Sequence, residues 1–272
     1  MDKPKLFGFT DVDRTNDPDY FIRFLDEASA DESFQAYKQH SFALLELRPG
    51  KHVLDVGFGT GEDARAMAQL IVPGGRVVAV DGSQSMIAAA RHRAEGCSVP
   101  VEFHIADAQR LPFADDSFDA SRADRIFMHL PSPAQALSEM MRVTRRGGRV
   151  LVYEVDFETI TLDLPDRQRT RKIVNTWCDG FRNGWLGRHV PALFRAAGLE
   201  DVRITSATLW LRYPVAMQMV GLATVERACA AELLTAAEGE DWLRQLHERY
   251  EAGMLFCTLT GFLVVGRKPE NG

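Results

Sequence analysis

Cysteine is scarce in this chain: four of 272 residues, at positions 97, 178, 229 and 257. They form no C-x-x-C pair and have no His pair at ligand spacing, which argues against a structural metal and for a reducing, cytoplasmic setting. Long apolar runs are missing as well. Gly261–Val265 is only strand-length, far short of the ~20 residues of a membrane helix, so no membrane span is expected. Met1-Asp2-Lys3-Pro4-Lys5 lacks the apolar core of a secretory leader. Positive charge is not in excess. Net charge is −6, which gives no basic field for nucleic acid, and the Arg142–Arg149 cluster reads as a solvated loop. Repeats and low-complexity tracts are absent. What remains is an apolar fraction of 46%, enough for a sizeable core in one α/β domain with an elaboration.

Residues 52–62, HVLDVGFGTGE, carry the strongest signal. Val53, Leu54 and Val56 form a short apolar run suited to a buried parallel strand. Gly57, Gly59 and Gly61 then permit a tight turn and close backbone approach to a ligand. From Glu62 the pattern becomes helical, with Ala64, Met67, Ala68 and Ile71 on one face. Nucleotide-type cofactors bind at such turns in open α/β sheets. A dinucleotide fingerprint would need Gly or Ala where Glu62 stands. Asp55, Glu62 and Asp63 would also repel a pyrophosphate at a helix N-terminus that otherwise favours anions. A cationic ligand without phosphates suits them better.

The segment Asp55-Val56-Gly57-Phe58-Gly59-Thr60-Gly61 resembles the first motif of the class I methyltransferases that use S-adenosylmethionine (SAM), similar to ubiquinone/menaquinone-biosynthesis C-methyltransferases and small-molecule methyltransferases. Phe58 replaces the family's usual Cys or Ser. Further matches follow in order. Arg76–Asp81 is a second strand ending in an acid that can accept from both ribose hydroxyls. Gly82-Ser83-Gln84-Ser85-Met86 starts a helix with Ser83 as N-cap, and the resemblance puts Met86 against adenine. Strand Val101–Ile105 leads to Ala106-Asp107-Ala108, where the resemblance has Asp107 accept from the adenine amino group and Ala108 offer its N–H. Asp115–Asp119 leads into a fourth strand. Arg145-Arg146-Gly147-Gly148-Arg149, with Arg146 in place of the family's proline, leads into a fifth, Val150–Val155. Tyr37 and Arg125 complete the expected cofactor set, and Tyr20 is a further candidate cap.

The expected fold is α/β: a Rossmann-like, seven-stranded, mostly parallel sheet with helices on both faces and an antiparallel last strand. Residues 1–50 are expected to form a helical lid segment and 51–272 the methyltransferase domain. Glu200–Arg212 and Leu255–Val265 read as the last, antiparallel strand pair, with a helical insertion at about 214–251 completing the lid. Gly184-Trp185-Leu186-Gly187-Arg188 reads as a loop before helix Pro191–Ala197.

Methyl transfer is an in-line displacement at an already activated carbon, so the protein mainly aligns nucleophile and methyl. A phenol, hydroxyl or acidic carbon would also benefit from a base. His129, after the fourth strand, His189, and Asp156, beside Glu154 at the end of the fifth, are the catalytic candidates. Packing or salt bridges to Arg125 or Arg188 are the alternative roles. Trp177, Phe181 and Trp185 are candidates for an apolar acceptor pocket, or for core. These features imply O- or C-methylation of a small hydrophobic or aromatic acceptor by a monomer or homodimer, with no nucleic acid and no metal. Arg125-Ile126-Phe127-Met128 stands where an N-P-P-Y tetrapeptide would mark planar amines. An RNA or protein methyltransferase, or a SAM-binding protein without catalysis, is the competing class; a NAD-dependent oxidoreductase is disfavoured by the pyrophosphate argument.

Overall fold

The computed structural model describes residues 9–270; Met1–Lys5 and the start of the 1–50 segment lie outside the described residues. In chain order the elements are α1 (Pro18–Ser29), α2 (Glu32–Leu44), β1 (His52–Val56), α3 (Glu62–Ile71), β2 (Arg76–Asp81), α4 (Gln84–Ala94), β3 (Val101–Ile105), β4 (Phe118–Asp124), α5 (Pro133–Val143), β5 (Thr144–Val155), β6 (Thr161–Leu162), α6 (Arg167–Cys178), α7 (Leu186–Ala196), β7 (Glu200–Trp210), α8 (Tyr213–Val220), α9 (Leu222–Ala230), α10 (Ala236–Glu251) and β8 (Cys257–Arg267).

The sheet runs β3-β2-β1-β4-β5-β8-β6, with β7 on the other edge of β8. Strands β1 to β5 pair in parallel, and β8 is antiparallel to β5, β6 and β7. This is the expected fold with eight strands rather than seven. The extra one, β6, is short. After β5 the chain makes a 3-10 turn at Phe157–Thr159, and Thr161 and Leu162 then pair with Thr258 and Cys257 on the stretch of β8 beyond the reach of β5.

The apolar run read as a buried strand is one: Val53, Leu54 and Val56 are at most 1% exposed, because helices cover both faces of a parallel sheet. The strand order reverses at β1, whose neighbours are β2 and β4. There the turns that leave the carboxyl ends of β1 and β4 diverge and open a crevice.

Two local expectations change. Residues 186–188 are not loop, since α7 begins at Leu186 and carries Pro191 inside it. A Cβ on Gly187 would lie 2.8 Å from the Asp156 backbone nitrogen, so this glycine lets α7 press against the end of β5. The 214–251 insertion is helical, as expected, but packs on α6. Trp242 of α10 is buried and its Nε1 donates to Thr170 Oγ1 at 3.1 Å. Asp241 pairs with Arg169 at 2.6 Å.

Candidate functional site

A cavity of about 570 Å³ opens at the carboxyl ends of β1, β2 and β4. One wall is the turn after β1. Gly57 has φ +74° and Gly59 φ +55°, conformations that side chains rarely adopt. A Cβ on Gly57 would lie 2.0 Å from Ile126 Cδ1, so Ile126 occupies the space that a side chain at 57 would need. The Asp81 carboxylate anchors the same turn, accepting from Gly59 N at 3.0 Å and from Ser83 N at 2.9 Å. Burial raises its pKa. Gly61 does not line the cavity. It caps α3 at φ +74°, and a Cβ there would meet the Phe103 ring at 2.8 Å.

The floor is a buried charge cluster. Arg122 is 1% exposed and is the one cation of strand β4. It donates to Asp55 Oδ1 at 3.3 Å, Asp63 Oδ2 at 2.9 Å, Asp124 Oδ2 at 2.5 Å and Ser41 Oγ at 3.1 Å. Lys38 pairs with Asp63 at 2.9 Å and Arg125 with Asp124 at 3.0 Å. Three cations thus face three carboxylates, as burial of charge requires. Asp55 is the least satisfied. Its Oδ2 is buried without a partner, and burial, only partly offset by Arg122, pushes its pKa up to about 7.

The remaining walls come from Asp81–Ser83, Met86, Ala106–Gln109 and the turn at 124–131, with Phe9–Asp13, Phe24 and Leu25 on the N-terminal side. His129 faces this cavity beside Phe9, ring centroids 5.9 Å apart. Burial, reinforced by the Arg125 charge, lowers its pKa to about 4.

Asp55, Gly57, Gly59, Asp81, Gly82, Met86, Asp107, Ala108, Arg125 and His129 therefore converge on one cavity. Other candidates lie elsewhere. Tyr37 is buried beside the charge cluster, stacked on Tyr153 at 4.0 Å and donating to Asp124 at 3.2 Å, outside the lining. His189 is exposed on α7. Asp156 is 1% exposed, held by Arg188 and capping the 3-10 turn after β5. Trp177 is fully buried and packs with Phe181 and Phe157, while Trp185 is 48% exposed under Arg188. Tyr20 and the 214–251 insertion are also absent from the lining. Sequence reasoning missed Asp13, Lys38, Arg122 and Asp124. The available signal was Arg122, a lone cation within a buried strand.

A family model described as "Methyltransferase domain" matches residues 54–152. An uncharacterized 37.1 kDa protein in transposon TN4556 of Streptomyces fradiae is 35% identical over 249 residues, covering 90% of this chain and 71% of that protein. The methyltransferase GfsG of Streptomyces halstedii is 32% identical over 65% of this chain and 63% of its own length. This chain belongs to the class I SAM-dependent methyltransferases. The ubiquinone/menaquinone biosynthesis C-methyltransferase UbiE of Ectopseudomonas mendocina is 38% identical to this methyltransferase over 43% of the chain and 47% of the UbiE length. The chain thus spans less than two thirds of either named enzyme. Haemonchus contortus phosphoethanolamine N-methyltransferase 2, solved with SAM, shares the fold at TM-score 0.62 and 18% identity, over 96% of this chain and 60% of that one.

The cofactor of this methyltransferase is SAM, and the residues present suit it. Asp55, with its orphaned oxygen, provides an acceptor for a cationic ligand. The glycine turn leaves backbone exposed to the cavity, and the Asp81 carboxylate stands at the end of β2. Among the described residues no group of three His, Cys, Asp or Glu is placed to hold a metal, and no helix is long and apolar enough to cross a membrane.

Proposed function

We propose that this methyltransferase transfers the SAM methyl group to oxygen or carbon of a small, hydrophobic or aromatic metabolite. The observation that carries the reading is the cavity's division. Asp55, Asp81 and Asp107 stand at or just beyond the ends of β1, β2 and β3, and Glu62, Asp63 and Asp124 lie on the same side near the glycine turn. Phe9, Phe24, Leu25, Met128, Leu130 and Pro131 supply apolar surface, with Asp11 and Asp13 beside Phe9. An apolar pocket with a few polar anchors is the usual form of a small-molecule site.

In this reading Asp81 accepts from the ribose hydroxyls. Asp107 and the Ala108 N–H receive the adenine edge, and Met86 packs on its face. Gly57 and Gly59 pass backbone close to the cofactor. Asp55 and Arg125 hold the amino and carboxylate groups of its methionine end. When bound, SAM supplies an electrophilic methyl. The protein aligns the nucleophile and excludes water. His129, with its lowered pKa, stays neutral at physiological pH and is a weak base, so alignment dominates. The N-terminal segment, already against the cavity through Phe9–Asp13, acts as the lid; hydrogen exchange with and without S-adenosylhomocysteine tests it, and equal protection in both states would count against a lid.

The acceptor test is transfer of labelled methyl from SAM to a panel of phenols, polyketides, prenyl quinone precursors, amines and tRNA. UbiE, a relative named for C-methylation in quinone biosynthesis, makes quinone precursors the first to try. Turnover of phenols, polyketides or quinone precursors supports the proposal. Turnover of tRNA alone overturns it.

A further inference from the structure

The turn carrying Ile126, Met128, His129 and Leu130 into the cavity is held at both ends by residues that do not line it. The first is Glu154 on β5, fully buried, whose Oε1 accepts from the Phe127 N–H at 2.6 Å. The Ile126 and Met128 N–H groups face the same carboxyl. These are the unpaired N–H groups at the start of the Phe127–His129 3-10 turn, where a carboxylate is the natural cap. The second is Asn183, between α6 and α7. Its Nδ2 lies 3.2 Å from Phe127 O, 3.4 Å from Met128 O and 2.9 Å from Leu130 O, the carbonyls at the other end of the turn. Just ahead of both grips Arg125 holds φ +56°, with its N–H bonded to Tyr153 O at 2.8 Å. A non-glycine residue keeps that conformation only where its surroundings fix it.

We propose that Glu154 and Asn183 are positioning residues. They clamp the 126–130 turn so that Ile126 seats against Gly57 and the His129 ring is presented to the acceptor end of the cavity. The inference rests on the proposed function for its catalytic meaning and on the hydrogen bonds for its geometry. A donor that reaches only carbonyls and an acceptor that reaches only N–H groups fix backbone, not side chains. The position of the turn is therefore set independently of what the cavity holds, and the α6–α7 connection helps shape the wall that meets the acceptor.

The test uses the full chain with its histidines isotopically labelled. The His129 ring signal is identified as the one missing in His129→Gln. In wild type it should titrate near pH 4. In Asn183→Ala, which removes the donor from a half-buried loop, the ring should become accessible and titrate at least one unit higher, with the fold intact by circular dichroism. Glu154→Gln keeps a carbonyl acceptor for Phe127 N and should titrate like wild type; Glu154→Ala should not. Wild-type titration in a folded Asn183→Ala overturns the clamp. If Glu154→Ala fails to fold, Asn183→Ala decides alone. Binding of S-adenosylhomocysteine, measured in parallel, should be retained in Asn183→Ala, because the Asp81 bond to Gly59 N holds the glycine turn even when Ile126 shifts from Gly57. Failure of the wild type to bind would sink the functional reading and leave the clamp to be judged by the titration.

Discussion

The Asp13 carboxylate accepts a hydrogen bond from the Ser83 hydroxyl at 2.7 Å, joining the N-terminal segment to the start of α4. The same carboxylate accepts from Gln84 N at 2.7 Å and Ser85 N at 3.0 Å, while Ser83 Oγ accepts from Met86 N at 3.2 Å. The free N–H groups of the helix are thus shared between its own cap and a residue far away in sequence, and the anion sits where the helix dipole favours it. Asp13 thereby latches the segment that covers the cavity.

Asp13→Ala should cost about 1 kcal/mol, the ordinary value of a lost N-cap, and should loosen residues 9–14 in hydrogen exchange. Desolvation would raise this carboxyl, but hydrogen bonds from Ser83, Ser85 and Gln84 outweigh it and hold its pKa at about 2. Its contribution is therefore complete above the ordinary carboxylate range and lost as pH falls through about 2. Unfolding curves of wild type and variant should converge on acidification between pH 4 and 2. A constant gap would show that the latch is not ionic.

Arg122→Met should destabilise the protein by about 3–5 kcal/mol, because it leaves Asp55, Asp63 and Asp124 facing one another in the interior. Adding Asp55→Asn should restore part of the loss, since coupled residues are not additive. Denaturant titration of the two single variants and the double closes the cycle. Strict additivity would mean that Arg122 and Asp55 do not depend on each other.

His129 should give no rise in methyl-transfer rate between pH 6 and 7, because it is already neutral there. Its effect on stability has a definite sign. A histidine with a folded pKa near 4 binds fewer protons than in the unfolded chain, so stability from this group rises from pH 4 to about 6.5 and is flat above. Asp55 and Glu154, raised to about 7 and about 8, act with the opposite sign in overlapping ranges. The difference between wild type and His129→Gln is therefore the quantity to measure. It should grow from pH 4 to 6.5; a difference independent of pH would refute the assignment.

Asp81→Ala should weaken SAM binding by about 1.5–3 kcal/mol, the range for hydrogen bonds to a charged group, and should also relax the turn by freeing Gly59 N. Gly59→Val should abolish binding while the fold survives. Its Cβ would lie 2.9 Å from the flexible end of Leu25, and the strain at φ +55° stays in the turn beyond the carboxyl end of β1. Calorimetry with S-adenosylhomocysteine, paired with circular dichroism, separates binding from folding. Normal binding in a folded Asp81→Ala would rule out the ribose role.

The legible parts of the site were those encoded over short stretches. Strand β1, the glycine turn, Asp81 and Ala106–Ala108 each combine a strand period with the punctuation that ends it. The illegible parts depend on which distant surfaces meet. Nothing near Asp13 announces that it caps α4. The pairing of Lys38, Asp63 and Arg122 exists only after α2, α3 and β4 pack together. Tyr37 carried the right chemistry for a cap and lies close by, but its ring stacks on Tyr153 instead. Gly187 looked like a loop glycine because close helix-to-strand approach leaves the same mark on a sequence as a turn.

Leu211 N donates to Cys257 O at 2.9 Å, at the point where β7 ends and β8 begins. The chain leaves the sheet and re-enters it across a single hydrogen bond, and everything from Arg212 to Phe256 is an excursion between neighbouring atoms. Topologically β7 and β8 remain a hairpin, however elaborate its tip. Closing a longer tip is cheap, about 0.6 kcal/mol for each doubling of its length, and strand register is set upstream of it. The tip is no loose appendage, however: Val220, Ala228, Trp242 and Leu246 fold it back into the core shared with the sheet, so a hairpin junction of two residues carries a full helical layer.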